Sequence, residues 1–205
     1  MTTAQDAPRR GPKPNPRTRD NLVRAGLAGF HERGFNATGI KEIVDAASVP
    51  KGSFYNHFDG KEAFAAEVVD LYFGRGLADM SALLNDASLP PMDRLRAYFE
   101  RRTESFVAAG FKGGCLMGNL SLEIADHSPA IRERLAAHFR TWAGLFETCI
   151  AEAQASGAIA TTTPPAVLAA FLLNSWEGAL LRMRVEKSDA PLKDFARVVF
   201  GSLLV

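Results

Sequence analysis

Residues 38–58, TGIKEIVDAASVPKGSFYNHF, constrain the fold more than any other stretch of this chain. Ile40, Ile43, Val44 and Ala47 recur at i, i+3, i+4 and i+7, one apolar stripe at the period of a helix. Thr38 stands ahead of the stripe where an N-cap is expected, with Glu42 one residue out of register for a strict capping box. Ser48 and Val49 break the helix. Pro50 suits the first position of a second helix, where a missing N–H costs nothing. Phe54 and Phe58, four apart, give that second helix a buried face of its own. The pattern predicts two short helices joined by a tight turn.

The remaining residues of the second helix are Lys51, Gly52, Ser53, Tyr55, Asn56 and His57. All are hydrogen-bonding or backbone-exposing types, the kind that meet phosphates and base edges in a DNA major groove. An ordinary helical hairpin with a polar outer face would read the same way, so the distribution of charge matters. The net charge of +1 says nothing about nucleic acid. From Arg9 to Arg24, however, six basic residues face one acid, Asp20. Residues 61–205 carry 15 basic and 17 acidic residues. A basic end on a slightly acidic body is the asymmetry of a DNA-binding head on a regulatory body. Pro8, Pro12, Pro14 and Pro16 keep residues 1–16 from forming a helix. That segment reads as a disordered basic arm, either a solvated tail or one that follows phosphates or a minor groove.

Everything after the arm reads as helix, and no alternating strand pattern of useful length occurs. The first helix runs from about Thr18 to Arg33, with Leu22, Ala25, Gly26 and Gly29 as a close-packing face and Gly34 as its stop. Phe30 and Phe35 are expected to fill the core beneath the two DNA-reading helices. A long helix capped by Asp59 is expected over 60–85, with Gly74 and Gly76 marking a bend or a close approach. Turn signals then divide the chain into helices over about 91–109, 115–125, 129–155, 165–187 and 189–204. The fold class is therefore all-α, an N-terminal three-helix head over 17–62 and a helical body over 63–205. Two cysteines 34 residues apart make neither a disulfide framework nor a zinc site. No metal and no cofactor is expected. The longest apolar run, Ala166 to Leu173, is far below the roughly 20 residues that span a bilayer. With a polar, proline-rich N-terminus, the chain reads as cytoplasmic with no membrane partner.

The phrase VPKGSFYNHFDGKEAF, residues 49–64, resembles the recognition helix and following helix start of the TetR/AcrR family of repressors, and the likeness covers residues 17–61 closely. That resemblance implies DNA contacts from Lys41, Lys51, Gly52, Ser53, Tyr55, Asn56 and His57, with Tyr55 and Lys61 reaching phosphates. Asn56 departs from the aromatic residue often found there, and an amide can pair with adenine. His57 reads either as a DNA contact or as a histidine packed under Phe58. The family also implies a homodimer joined through its last two helices, here through Leu180, Leu181 and Val198, on a palindromic DNA operator released by a small-molecule effector.

FKGGCLMGNLSLEIAD, residues 111–126, and WEGALLRMRVEKSDAPL, residues 176–192, resemble a subgroup that includes acrylate-responsive and electrophile-responsive (NemR-like) repressors. That likeness suggests a small unsaturated acid or electrophile as effector. Cys115 follows two glycines at a helix N-terminus, where free N–H groups favour a thiolate, or else it is an inert core thiol. Cys149 reads as core. Tyr72, Asn119, Trp142, Phe146 and Trp176 could line an effector pocket, with Glu177 and Arg182 as polar anchors. Arg182, in an apolar stretch, needs Glu177, Glu186, a ligand carboxylate or solvent as partner. Two rival readings stay open. One is an enzyme with Cys115 as nucleophile, although no G-x-S-x-G, H-E-x-x-H or phosphate-binding glycine motif occurs. The other is a helical adaptor for protein alone, which leaves the basic arm unexplained.

Overall fold

The structure is a computed structural model that describes residues 16–205. The basic arm up to residue 15 lies outside the described residues. Pro16, read from sequence as part of that arm, opens the first helix. In chain order the described helices are α1 (Pro16–Arg33), α2 (Ile40–Ala46), α3 (Lys51–Tyr55), α4 (Lys61–Leu84) and α5 (Pro91–Ala108). They continue as α6 (Leu116–Ile124), α7 (Pro129–Ala155), α8 (Pro165–Glu186) and α9 (Ala190–Val198), followed by a π-helical turn over Val199–Leu203. The expected boundaries recur to within a few residues, and no strand interrupts the described chain.

The head is built around an aromatic knot. Phe54 of α3 and Phe58, in the turn after it, meet Phe64 of α4 at centroid distances of 5.1 and 4.8 Å. Phe30 of α1 closes the knot against Phe64 at 5.9 Å and Phe35 at 5.5 Å. All five rings are buried. Gly26 is what lets α1 approach α4, because a Cβ there would stand inside the Phe64 ring. α4 runs unbroken from this knot into the body, so head and body share one helix. Further along it, Asp70 holds Arg134 and His138 of α7, and Phe73 stacks on His138 at 4.5 Å. The body has a second aromatic centre at Phe99, with Phe195, Trp176 and Phe146 all 4.8–5.2 Å away.

Several local expectations are corrected. Thr38 does not cap α2. Gly39 holds the N-cap position without a side-chain bond, and Thr38 is buried with its hydroxyl donated back to the Gly34 carbonyl at 2.8 Å. Its hydroxyl is therefore already engaged on the outgoing end of α1. Asp59 likewise leaves the α4 cap to Gly60, which makes no side-chain bond. Gly74 and Gly76 face open space rather than a close neighbour. Leu180, expected at an interface between copies, is buried within its own chain, whereas Leu181 and Val198 are exposed.

Candidate nucleic-acid interface and body cavity

α3 is one helical turn and a half, and its chemistry faces outward. Phe54 points into the knot, while Lys51, Gly52, Tyr55 and Asn56 are exposed and Ser53 and His57 half-buried. Asn56 caps the helix, and His57 lies in the tight turn beyond it, where its N–H bonds the Phe54 carbonyl at 3.0 Å. Tyr55 is more than half exposed, so its hydroxyl is free to reach a phosphate. The turn between α2 and α3 needs a left-handed residue, and Ser48 supplies it with φ of 56°. Lys41 is on the surface, where its ammonium holds Asp45 at 2.7 Å; that bond raises its pKa.

Lys61 is committed elsewhere. Its ammonium donates to the Phe35 carbonyl at 2.6 Å and sits 4.2 Å over the Phe35 ring. Burial lowers its pKa, against the nearby Glu123 and Glu42 carboxylates. The expected phosphate contact would require it to leave the α1–α2 turn, which it closes.

That turn has a second clasp, unexpected from the sequence. The Glu123 carboxylate at the end of α6 accepts the N–H groups of Phe35 at 2.8 Å and Asn36 at 2.6 Å. Gly34, with φ of 90°, makes the fit possible, since a Cβ there would lie 2.8 Å from the Glu123 carboxylate. At the start of α6, His31 of α1 bonds the Gly114 carbonyl through Nε2 at 3.0 Å. The short helix α6 is thus tied to the head at both ends.

Beside the second of those contacts lies a cavity of about 1420 Å³ between α1, α4, α5, α6, α7 and α8. Of the residues expected to line it, Tyr72 and Trp142 do. Phe146 and Trp176 do not; both are buried in the aromatic centre around Phe99. Arg182 is exposed and ion-paired with Glu186 one turn on, so it anchors nothing in the cavity. Arg184 takes that place. It lines the cavity and donates to Asn119 Oδ1 at 3.1 Å. Arg184 lies seven residues beyond Glu177, on the same face of α8, a signal the sequence already held. Asn119 donates in turn to the Gly113 carbonyl at 2.8 Å and shapes the α5–α6 loop.

Cys115, Glu177 and Asn119, also expected to contact the effector, are not among the residues that line the cavity. The Cys115 thiol faces Glu177 and the N–H groups of Met117 and Gly118 at the start of α6. Burial pushes the thiol well above its ordinary value, the Glu177 charge adds to this, and the N–H groups only partly oppose it. The expected lowering by the helix terminus therefore loses to desolvation. Glu177 is itself pushed up to about 7 by burial, against the Cys115 hydrogen bond and the Arg102 charge. Its Oε1 and the Trp176 indole N–H are buried without a hydrogen-bond partner, while the buried Trp142 N–H turns toward the Tyr98 hydroxyl. Cys149, bonded to the Leu84 carbonyl, is pushed up to about 11 by burial.

Residues 22–68 match the family of bacterial regulatory proteins, tetR family, and residues 91–199 match the tetracyclin repressor-like C-terminal domain. The chain belongs to the TetR family. It is 42% identical over 186 residues to the HTH-type transcriptional repressor DhaR of Mycobacterium sp. (strain GP1), covering 91% of this chain and 92% of that protein. It is 39% identical over 184 residues to the transcriptional regulator AcuR of Cereibacter sphaeroides, covering 88% and 82%. The crystal structure of E. coli NemR in its reduced form superposes with a TM-score of 0.82 at 28% identity, covering 90% of this chain and 96% of that one. As a TetR-family member the chain is a DNA-binding transcriptional regulator with an N-terminal helix-turn-helix head. No helix among the described residues is long and apolar enough to cross a membrane.

Proposed function

We propose that this TetR-family regulator is a homodimeric repressor whose body cavity takes a small-molecule effector that releases it from a two-fold symmetric DNA operator. The observation that carries the reading is α6. One end of this short helix borders the cavity, and the other holds the backbone of the α1–α2 turn through Glu123. A ligand that displaces the α5–α6 loop acts on the head through that clasp. A preference of about 3 kcal/mol for the non-binding arrangement shifts the equilibrium more than a hundredfold.

Dimerisation is supported by α8. Val167, Phe171, Asn174, Gly178, Leu181 and Val185 are all exposed, at spacings of three and four. That is a seam at coiled-coil period, largely apolar and wide enough at Gly178 for a close approach. Lys51, Gly52, Ser53, Tyr55, Asn56 and His57 are the proposed groove contacts, with Lys41 beside them. The buried, unactivated state of Cys115 supports reversible binding over covalent modification.

Selection from a random duplex library tests the reading. The enriched sequence is expected to hold two inverted half-sites about one helical turn, roughly 34 Å, apart, bound by a dimer. A monomeric mass in sedimentation at micromolar concentration, with DNA binding intact, contradicts it.

A further inference from the structure

The cations of this chain are distributed unevenly between paired and unpaired. Across the surface Arg19, Arg134, Arg182, Lys193 and Arg197 each hold a carboxylate, and the buried Arg94 holds Glu152. Around the cavity the pattern reverses. Arg24, Arg75, Arg101, Arg102 and Lys112 all line it, and none has a carboxylate within ion-pairing distance among the described residues. Arg184 and Lys187 add two more cations, each tied to a neutral group, Asn119 Oδ1 and the Phe111 carbonyl. Three carboxylates share the lining: Glu32, Asp79 and Asp86. Glu32 faces Arg33 at 3.5 Å, and Asp86 accepts from Ser88. The cavity is left with more cations than carboxylates, all but Arg102 exposed at its rim, and Arg102 also feels the Glu177 charge.

Much of the rest of the lining is apolar, with Phe73, Met80, Leu83 and Trp142 among its residues. The Trp142 N–H is buried and turned toward the Tyr98 hydroxyl, so the ring offers the cavity an apolar face. At about 1420 Å³ the cavity exceeds the roughly 300–1,000 Å³ usual for drug-sized ligands, so a three-carbon acid would fill only a small part of it.

We propose that the cavity takes an elongated anion with at least two negative charges at one end, carried on an apolar arm of several carbons. Arg101, Arg102 and Lys112, with Arg184, hold the charged end, as guanidinium and ammonium donors hold phosphate or paired carboxylates. The arm lies against Met80, Leu83 and Phe73. The inference rests on the cavity being the effector site and deepens that reading by naming the ligand's chemistry.

The test uses the full chain and three probes of equal arm length: octanol, octanoate and octyl phosphate. Binding is read by calorimetry and by Trp142 fluorescence at low salt. Affinity is expected to rise roughly tenfold from alcohol to carboxylate and about as much again to phosphate, with the gain shrinking as salt is added. Arg101→Gln and, separately, Lys112→Gln should each cut octyl phosphate affinity several-fold and leave octanol unchanged; the loop position keeps the second variant informative if the first unfolds. Gly76→Trp, at a lining position with open space before it, should block all three probes. Equal affinity for the three probes overturns the charge inference and leaves the cavity as the effector site. Charge-selective binding that survives Gly76→Trp overturns the placement. No binding of any probe by folded protein overturns this inference and the effector reading together.

Discussion

In the head, five phenylalanines pack with centroids 4.8–5.9 Å apart, and the polar residues of α3 stand outside with solvent before them. In the body the arrangement is inverted. Glu177, Cys115 and two indole N–H groups are drawn inside, with Glu177 Oε1 and the Trp176 N–H unpartnered, beside a cavity that cuts between six helices. The head is a rigid platform on which a fixed set of side chains is displayed. The body retains unspent hydrogen-bonding capacity and empty volume, the conditions under which a ligand alters structure. The difference teaches that reading and sensing need opposite uses of the same residue types.

The contrast breaks most readily at Phe64. Phe64→Ala removes the ring shared by α1, α3 and α4, and should cost roughly 3–5 kcal/mol by urea denaturation. A loss below about 1 kcal/mol would mean that the knot is loosely packed and the head is no platform.

In the body the largest effect belongs to Glu177. Its folded pKa, about 7, lies above its ordinary 4.5, so the folded state holds the proton more tightly. Stability should therefore fall as pH rises from about 4.5 to about 7 and then level off. Glu177→Gln keeps the neutral form throughout. It should leave stability unchanged below pH 4.5 and raise it above pH 7 by roughly 3 kcal/mol, since each tenfold change in proton affinity is worth about 1.4 kcal/mol. Thermal melts of both proteins at pH 4 and pH 8 check this, and parallel curves would remove the buried-carboxyl account.

Lys61 and Lys51 sharpen the comparison within the head. Lys61→Ala deletes a charged hydrogen bond to the Phe35 carbonyl and should cost about 1.5 kcal/mol of stability. Lys51→Ala should leave stability within about 0.5 kcal/mol and lower the salt slope of DNA binding by about one. The smallest effect concerns rate. Cys115 and Cys149 are buried with raised pKa values, so both should label slowly with iodoacetamide at neutral pH, as mass spectrometry would show. Rapid labelling of Cys115 alone would restore the electrophile reading.

The head is legible in the sequence because periodicity and residue type carry it. Phe54, Phe58 and the stripe from Ile40 define their own buried faces, and what is left over is the proposed reading surface. The cavity is less legible, since aromatic side chains at helical spacing serve core and pocket alike. Trp142 lines the cavity, while Phe146, four residues on, closes the core. Glu123 escapes notice because its partners are backbone N–H groups 87 and 88 residues away, which no local pattern reveals. The role of Lys61 is hidden for a related reason, because a carbonyl acceptor in a turn leaves no mark in the sequence.

The central claim is that occupancy of the body cavity changes what the head binds. Fluorescence anisotropy of a labelled, library-selected duplex, titrated with octyl phosphate at fixed salt, tests it directly. The account predicts release with the same midpoint as direct binding to the protein, and no release from Glu123→Gln at equal occupancy. DNA that stays bound to the wild-type chain with the cavity saturated would contradict it.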